Sequence, residues 1–400
     1  MESSPKTSRR GVLALASSPL LAQLSKAGPP GQSPRPFRVA IPQAAVNHIL
    51  ARVRDARFPA RIDSTDWRYG VDWDYMKSLA QYWTTKYDWR KAEANLNRDP
   101  QFVAKVEGFD VHFYHVRGRG RNPKPLILTH GWPGSVFEFL DAIPQLSEDF
   151  DLVIPSLPGF GFSSKPMGKP VGPRTTARLW HQLMTSVLGY RKYGAQGGDW
   201  GNAVTVNLAV EHPEELIGIH LNAAGVRPVP PAQPTEEERA WQQQVIEQRA
   251  AELDYFNEQQ HKPQTVAFAL YDNPLGATAW IVEKLQNWSD STNDLDKTFT
   301  KDQVLTNIMI YLVTNTMDTG VWFYRGPVEE GPAPARGKIE VPTGFAAFPA
   351  EKAYLQPPRS ILERDFNLVH YTKMPRGGHF ACWEQPQLFA EDVRRFFRML

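Results

Sequence analysis

The residue whose type and neighbours most clearly indicate catalysis is an aspartate flanked by glycines. It lies in the segment Gly197-Gly198-Asp199-Trp200-Gly201. Small residues around a reactive side chain are typical of a sharp turn from a strand into a helix, which exposes that side chain at the edge of a sheet. Serine usually occupies the centre of such a turn, and no G-x-S-x-G or G-x-C-x-G pattern occurs elsewhere in the chain. We therefore interpret Asp199 as the candidate nucleophile.

An aspartate nucleophile suits other substrates than a serine does. A carboxylate is ionised at neutral pH, so it attacks an sp³ carbon without help from a base. The product is an alkyl ester, whose carbonyl water can attack later, whereas the same attack by serine would end in an inert ether. Asp199 therefore favours an epoxide or a haloalkane over an amide or an ester.

A turn of small residues upstream is the candidate for stabilising the oxyanion of the ester step. The turn is His130-Gly131-Trp132-Pro133-Gly134-Ser135, directly after the first predicted parallel strand. The backbone N–H groups of Trp132 and Trp200 are predicted to form a two-donor oxyanion hole.

The base that activates water is expected beyond the last strand. Gly377-Gly378-His379-Phe380 lies there, which makes His379 the candidate general base. A carboxylate after the penultimate strand should orient this histidine, and Glu351 meets that condition best. Glu340 and Asp365 are its rivals, and Glu340 fits less well because it falls inside a predicted strand. The chain order nucleophile, acid, histidine is the hydrolase order.

Opening an epoxide also requires a weak acid that donates to the departing alkoxide, and a phenol in a dry pocket suits that task. Tyr255 and Tyr324 lie on either side of a predicted helical region. From the pattern alone, packing explains each of them better than catalysis does.

Composition narrows the class of protein. A chain of 400 residues can bury a large core and form two or three structural units. With 45 Lys and Arg against 43 Asp and Glu, the formal net charge of +2 predicts neither nucleic acid nor an anionic membrane as a partner. Cys382 is the only cysteine, so the chain can form neither an intrachain disulfide nor a thiolate metal site. No apolar run is long enough to span a bilayer.

The pattern along the chain predicts five segments. Residues 1–36 contain Arg9-Arg10, a mildly apolar run and a Pro/Gly-rich stretch, and they resemble a twin-arginine export signal. A disordered tail or a transit peptide also explains them, so an exported, periplasmic protein and a cytoplasmic one both stay open. The other segments are an N-terminal helical extension (37–117), the first part of a core (118–226), a helical lid (227–335) and the second part of the core (336–400).

Strand and helix signals predict an α/β fold. Residues 102–106 and 109–116 alternate apolar and polar side chains around a glycine, which predicts a hairpin. Short buried strands then alternate with helices as far as residue 221, and this is typical of βαβ units in a mostly parallel sheet flanked by helices. Helices are predicted for the lid at 236–255, 277–287 and 303–313, and the sheet is predicted to resume at 339–341 and 368–374.

Several motifs together resemble one known family. They are His130-Gly131-Trp132-Pro133-Gly134-Ser135, Gly159-Phe160-Gly161-Phe162-Ser163, Gln196-Gly197-Gly198-Asp199-Trp200-Gly201, Val341-Pro342-Thr343-Gly344-Phe345 and Arg376-Gly377-Gly378-His379-Phe380. The set resembles the microsomal-type epoxide hydrolases, which include soluble fungal and bacterial members and the juvenile-hormone epoxide hydrolases. The likeness extends from about Phe37 to Leu400 and implies an α/β-hydrolase fold with an inserted helical lid and an N-terminal helical extension.

The resemblance also implies roles for individual residues. By this likeness Asp199 is the nucleophile, Glu351 is the charge partner of His379, and Trp132 and Trp200 donate to the oxyanion. It further implies that Tyr255 and Tyr324 activate the oxirane, which overrides the packing interpretation. The match is loose around Tyr255, because Glu258-Gln259-Gln260-His261 replaces a more apolar segment.

The expected activity is conversion of a small lipophilic epoxide and water into a vicinal diol, without a cofactor or a metal. The resemblance allows a homodimer. Two alternatives stay open from the sequence: a haloalkane dehalogenase, which shares the aspartate nucleophile, and a non-catalytic binding protein for lipophilic ligands on a hydrolase fold.

Overall fold

The computed structural model describes residues 33–62, 67–223, 233–332 and 337–400. The predicted export signal at Arg9-Arg10 lies outside the described residues. Across the part of the chain that is described, no helix has both the length and the apolar character needed to cross a membrane.

Nine strands of the described chain form one sheet in the order β1-β2-β3-β5-β4-β6-β7-β8-β9. Strands β1, β2, β3 and β5 pair antiparallel, and every pairing from β5 through β4 to β9 is parallel. The mostly parallel α/β sheet predicted from the sequence is confirmed. The strands are β1 (Arg35–Phe37), β2 (Gln101–Val106), β3 (Phe109–Val116), β4 (Lys124–Thr129), β5 (Phe150–Pro155), β6 (Tyr193–Gly197), β7 (Leu216–Leu221), β8 (Ile339–Ala347) and β9 (Phe366–Lys373).

Helices precede, cover and interrupt this sheet. Because helices cover the parallel strands, side chains in β4 such as Leu126, Ile127 and Leu128 are fully buried. The α-helices are α1 (Gln43–Arg54), α2 (Trp73–Thr85), α3 (Trp89–Leu96), α4 (Ile143–Leu146), α5 (Pro173–Gln182), α6 (Asp199–Glu211), α7 (Glu236–Glu252), α8 (Asp254–His261), α9 (Pro263–Leu270), α10 (Pro274–Trp288), α11 (Lys301–Val313), α12 (Met317–Trp322), α13 (Gly326–Glu329), α14 (Arg359–Asp365), α15 (Ala381–Glu384) and α16 (Pro386–Phe397).

The N-terminal extension contains strands as well as helices. Its helix α1 buries Val46, Ile49 and Val53 and packs against α10 and α11 of the lid. Its three strands extend the sheet, and β1 pairs with β2 from Arg35 onwards. Arg35 and Pro36 therefore belong to the sheet, although the sequence placed them in the leader.

Two predicted elements differ in length from the observed ones. The strand predicted at 339–341 continues to Ala347. Pro342 has no backbone N–H to donate, and the register of β8 against β9 shifts next to it. This bulge accommodates the proline within the strand. The lid helix predicted at 236–255 breaks at Leu253 into the largely exposed α7 and the shorter α8. This break brings Tyr255 into the first turn of α8, where its side chain is buried.

Candidate active site

Asp199 lies at the turn from β6 into α6, with a backbone φ of +48°. This left-handed conformation is uncommon for a residue with a side chain. The flanking glycines are required by close approaches of the backbone. A Cβ on Gly197 would lie 2.1 Å from the carbonyl oxygen of Gly201, and a Cβ on Gly201 would lie 1.9 Å from that of Thr129. The motif therefore folds into the tight turn that its spacing predicted.

The oxyanion loop after β4 meets this carboxylate. The backbone N–H of Trp132 donates to Asp199 Oδ1 at 2.8 Å. A Cβ on Gly131 would lie 2.1 Å from the same oxygen, so glycine leaves space for the nucleophile. Trp200 lies in the first turn of α6, where a backbone N–H has no acceptor within the helix. The loop thus holds one carboxylate oxygen, and the helix start supplies the second predicted donor beside it.

His379 and Glu351 meet at the far side of Asp199. His379 Nδ1 lies 2.9 Å from Glu351 Oε2, and His379 Nε2 lies 3.5 Å from Asp199 Oδ2. The other oxygen of Glu351 accepts backbone N–H groups from Ala353 and Tyr354 at 2.7 and 3.0 Å. These bonds fix the carboxylate so that it orients the imidazole.

The rival acids lie elsewhere. Glu340 is exposed on β8, and Asp365 is the last residue of α14. The structure therefore brings Glu351, among the three carboxylates considered, into contact with His379.

The charges around His379 favour its protonated form in the resting site. Burial lowers the pKa of His379, but the Glu351 charge and the contacts with Asp199 and Glu351 outweigh it and raise the pKa well above its usual value. Asp199 supplies part of this effect, and esterification removes its charge. Loss of the Asp199 charge would therefore lower the pKa of His379.

The rings of Tyr255 and Tyr324 meet edge to face, with centroids 5.8 Å apart. Trp132 stacks on Tyr255 at 5.6 Å, and Trp200 packs edge-on against Tyr324 at 5.0 Å. The Tyr324 hydroxyl is buried and makes no hydrogen bond of ordinary geometry. Burial raises the pKa of both phenols well above the usual value, and the negative charge of Asp199 raises both further. Both phenols are therefore protonated donors close to Asp199.

Three residues near the nucleophile were missed by the sequence reasoning. Burial raises the pKa of Tyr354 well above its usual value, and the adjacent Asp199 charge raises it further. The Trp288 ring lies 5.0 Å from the His379 ring, and the Trp288 carbonyl accepts the His379 backbone N–H at 2.9 Å. Glu138 lies in the short turn after the oxyanion loop. Only its position eight residues after His130 could have drawn attention to it.

Two cavities must be distinguished. A cavity of about 280 Å³ beneath α7 and α8 reaches Asp199, and its walls are rich in aromatic side chains. These are Trp200, Trp241, Tyr255, Phe256, Trp288 and Tyr354. A larger cavity of about 740 Å³ lies between the N-terminal extension and the start of α10, and none of the catalytic candidates lines it. The aromatic cavity is therefore the candidate substrate pocket.

Potential metal ligands cluster away from this pocket. In the described chain, His181, His212 and Glu215 have ligand atoms within 4.8 Å of one another. The two imidazole rings stack face to face with centroids 3.6 Å apart, so their in-plane lone pairs do not converge on one point. This cluster shares no residue with the aromatic pocket.

Comparison with known proteins agrees with this geometry. The family profile described as "Epoxide hydrolase N terminus" matches residues 34–139, and the profile described as "alpha/beta hydrolase fold" matches residues 124–272. A relative from Stigmatella aurantiaca is 40% identical in an alignment that covers 91% of this chain and 85% of that protein. Epoxide hydrolase 1 of Oryctolagus cuniculus is 35% identical over 91% of this chain and 89% of its own.

A solved structure extends the likeness to three dimensions. An enantioselective mutant of the epoxide hydrolase from Aspergillus niger superposes with a TM-score of 0.83 at 29% identity, covering 94% of this chain and 99% of that one. The sequence relatives cover most of both chains, and the described fold matches an epoxide hydrolase throughout. The chain therefore belongs to the epoxide hydrolase family of the α/β-hydrolase fold.

Proposed function

We propose that the protein converts lipophilic epoxides into vicinal diols through an ester on Asp199. The observation that carries this proposal is the asymmetric environment of the carboxylate. Oδ1 is held by the Trp132 N–H at 2.8 Å, whereas Oδ2 makes no hydrogen bond of ordinary geometry and lies 3.5 Å from His379 Nε2. A carboxylate oxygen without a short hydrogen bond, on a residue that borders an aromatic pocket, is a competent nucleophile for an sp³ carbon.

In the first step Oδ2 of Asp199 forms a bond to one oxirane carbon, and the bond from that carbon to the ring oxygen breaks. The ring oxygen takes a proton donated by the Tyr255 and Tyr324 pair. Donors that are preorganised in a dry site stabilise the developing charge without reorganisation. The apolar walls of the pocket favour a lipophilic substrate.

In the second step the ester is hydrolysed. Since the ester carries no charge, His379 loses part of the stabilisation of its protonated form and gives its proton to the phenolate left by the first step. The neutral imidazole then accepts a proton from water. The hydroxide adds to the ester carbon, and the charge on Oδ1 is stabilised by the Trp132 N–H and by that of Trp200. Collapse breaks the bond from the ester carbon to the alkyl oxygen, which takes the proton from His379 and leaves as the diol. The acid proton that remains on Asp199 passes to His379, which restores the resting pair.

A haloalkane dehalogenase is the second candidate. Trp200 has a buried indole N–H without a hydrogen-bond partner, and an N–H is the donor type that a halide requires. The two phenols favour the epoxide, because an alkoxide must receive a proton whereas a halide need not. Release of bromide from bromoalkanes without turnover of epoxides would favour the dehalogenase.

A homodimer is part of the same proposal, since the resemblance to the family implies that such assemblies form. Light scattering on the purified protein at several concentrations tests it. A mass that stays at one chain would reject the dimer.

The mechanism is tested by a single turnover of styrene oxide with excess enzyme in ¹⁸O water. The ester route predicts an unlabelled diol and one ¹⁸O atom in Asp199, detected by peptide mass spectrometry. Direct attack by water would instead label the diol and leave Asp199 unlabelled. Asp199→Ala should form no diol, and a variant that kept the wild-type rate would overturn the role of Asp199.

A further inference from the structure

Glu138 is a carboxyl that the two steps above do not use, and it lies directly beside the oxyanion loop. A Cβ on Gly134 would lie 1.4 Å from Glu138 Oε1. Gly131 leaves space for Asp199 in the same way. The two glycines of this loop therefore each accommodate a carboxyl group, and the second carboxyl comes from a residue four positions further along the chain.

A small cavity connects this carboxyl with the catalytic groups. Its volume is about 20 Å³, and Glu138, Asp199 and His379 all line it. A water molecule needs roughly 10–15 Å³ by this measure and two to four polar partners. The cavity therefore fits one water. Of its lining residues, only Asp199 also lines the aromatic substrate pocket.

The charges around Glu138 link it to the state of the nucleophile. Burial raises the pKa of Glu138 to about 8, the His379 charge opposes this, and the Asp199 charge adds to it. Glu384 also raises this pKa, and the backbone N–H of Ser135 lowers it. In the ester the Asp199 charge is absent and His379 is neutral, so the larger His379 effect and the smaller Asp199 effect on the Glu138 pKa both disappear, and burial continues to raise that pKa.

Two further titratable groups face Glu138. The negative charge of its carboxylate raises the pKa of the Cys382 thiol and of the Tyr311 phenol, although burial is the larger cause for both. Both groups therefore stay protonated at neutral pH. They leave Asp199, His379 and Glu384 as the neighbours whose charges can change.

We propose that this cavity binds the hydrolytic water and that Glu138 orients it. The inference rests on the ester mechanism proposed above. The water donates one hydrogen to His379 Nε2 and the other to a Glu138 oxygen, which leaves a lone pair directed at the ester carbon of Asp199. His379 takes the proton as the new bond to that carbon forms, and Glu138 keeps its hydrogen bond to the oxygen that is transferred. Water is thus held on a side of Asp199 that the substrate does not occupy.

The test separates the two steps by quenched-flow mass spectrometry with styrene oxide. Glu138→Leu removes the acceptor at similar volume, so the rate of ester formation should stay within about 2-fold while ester hydrolysis slows about 10- to 100-fold. Glu138→Gln keeps an acceptor oxygen and should recover part of that loss. Glu148→Gln removes an exposed carboxylate that pairs with Arg119 and should leave both rates unchanged.

The pH profile of ester hydrolysis supplies a readout that a structural role would not change. In the wild type the rate should rise in two steps with pH, as His379 becomes neutral and as Glu138 becomes an acceptor only. Glu138→Gln should lose the second step and keep the first.

Each outcome decides one claim. Unchanged hydrolysis in Glu138→Leu, or a loss confined to ester formation, would overturn the role of Glu138. A wild-type enzyme that forms no ester would instead reject the proposed function itself. The amount of ester formed in the first turnover reports how much of each variant is folded, so misfolding cannot imitate slow hydrolysis.

Discussion

Replacing Tyr324 with Phe should separate catalysis from stability, because the buried hydroxyl that is removed makes no hydrogen bond of ordinary geometry and has the Tyr255 hydroxyl as its neighbour. A well-aligned neutral hydrogen bond contributes about 0.5–1.5 kcal/mol to stability, and a poorly aligned one contributes less. The free energy of unfolding of Tyr324→Phe should therefore lie within about 0.5 kcal/mol of that of the wild type.

The same hydroxyl has a task in the transition state of epoxide opening. A hydrogen bond to a charged group contributes about 1.5–3 kcal/mol. At 1.36 kcal/mol for each factor of ten, its loss should slow ester formation about 10- to 150-fold. Tyr255 stays as the second donor, so ester formation should be slowed and not abolished.

Tyr114 offers a matched control, since it is also fully buried. Its hydroxyl donates to the Leu96 carbonyl at 2.7 Å. Tyr114→Phe removes this hydrogen bond while Gln101 Nε2 still donates to the same carbonyl at 2.8 Å, so the variant should lose about 0.5–1.5 kcal/mol of stability and form the ester at the wild-type rate. Tyr324→Phe should thus change the rate of ester formation with little effect on stability, whereas Tyr114→Phe should change the stability and leave that rate unaltered.

Urea unfolding measures the stabilities, and rapid mixing of excess enzyme with styrene oxide measures ester formation. The reasoning is refuted if Tyr324→Phe forms the ester as fast as the wild type. It is equally refuted if this variant loses as much stability as Tyr114→Phe, because the Tyr324 hydroxyl would then make a well-aligned hydrogen bond in the resting site.

Three further variants test other parts of the site. His379→Gln should slow ester hydrolysis about 10²- to 10⁴-fold, so that the intact protein gains the mass of the substrate; a turned-over epoxide without such an adduct would contradict the scheme. Glu351→Gln removes the charge that raises the pKa of His379, so the imidazole should lose its proton at lower pH than in the wild type, and an unshifted NMR titration would reject this account. Gly201→Ala places a Cβ 1.9 Å from a carbonyl oxygen of β4 and should lower the free energy of unfolding by about 1–3 kcal/mol or more. The control is Gly337→Ala, whose Cβ would have no atom within 4 Å, and it should unfold at the wild-type urea concentration.

Local features of the site were predictable because they depend on short stretches of chain. The spacing of glycines around Asp199 predicts a tight turn, and the clashes that a Cβ would cause at Gly197 and Gly201 are the physical reason. The alternation of side chains in β2 and β3 likewise predicts the hairpin. The end of β8 was misjudged, because a proline normally ends a central strand and only the pairing with β9 reveals the bulge.

The sequence by itself determined the fold class and the kind of chemistry, because hydrophobic period, turn residues and the type of nucleophile are local properties. It could not decide which remote side chains meet. The sequence favoured Glu351 over Glu340 as the acid, but the 2.9 Å contact of Glu351 with His379 forms only because the ends of the parallel strands β8 and β9 lie side by side. The water-sized cavity at Glu138 is a product of the same packing, since Glu138, Asp199 and His379 come from three distant segments whose side chains converge only in the folded chain.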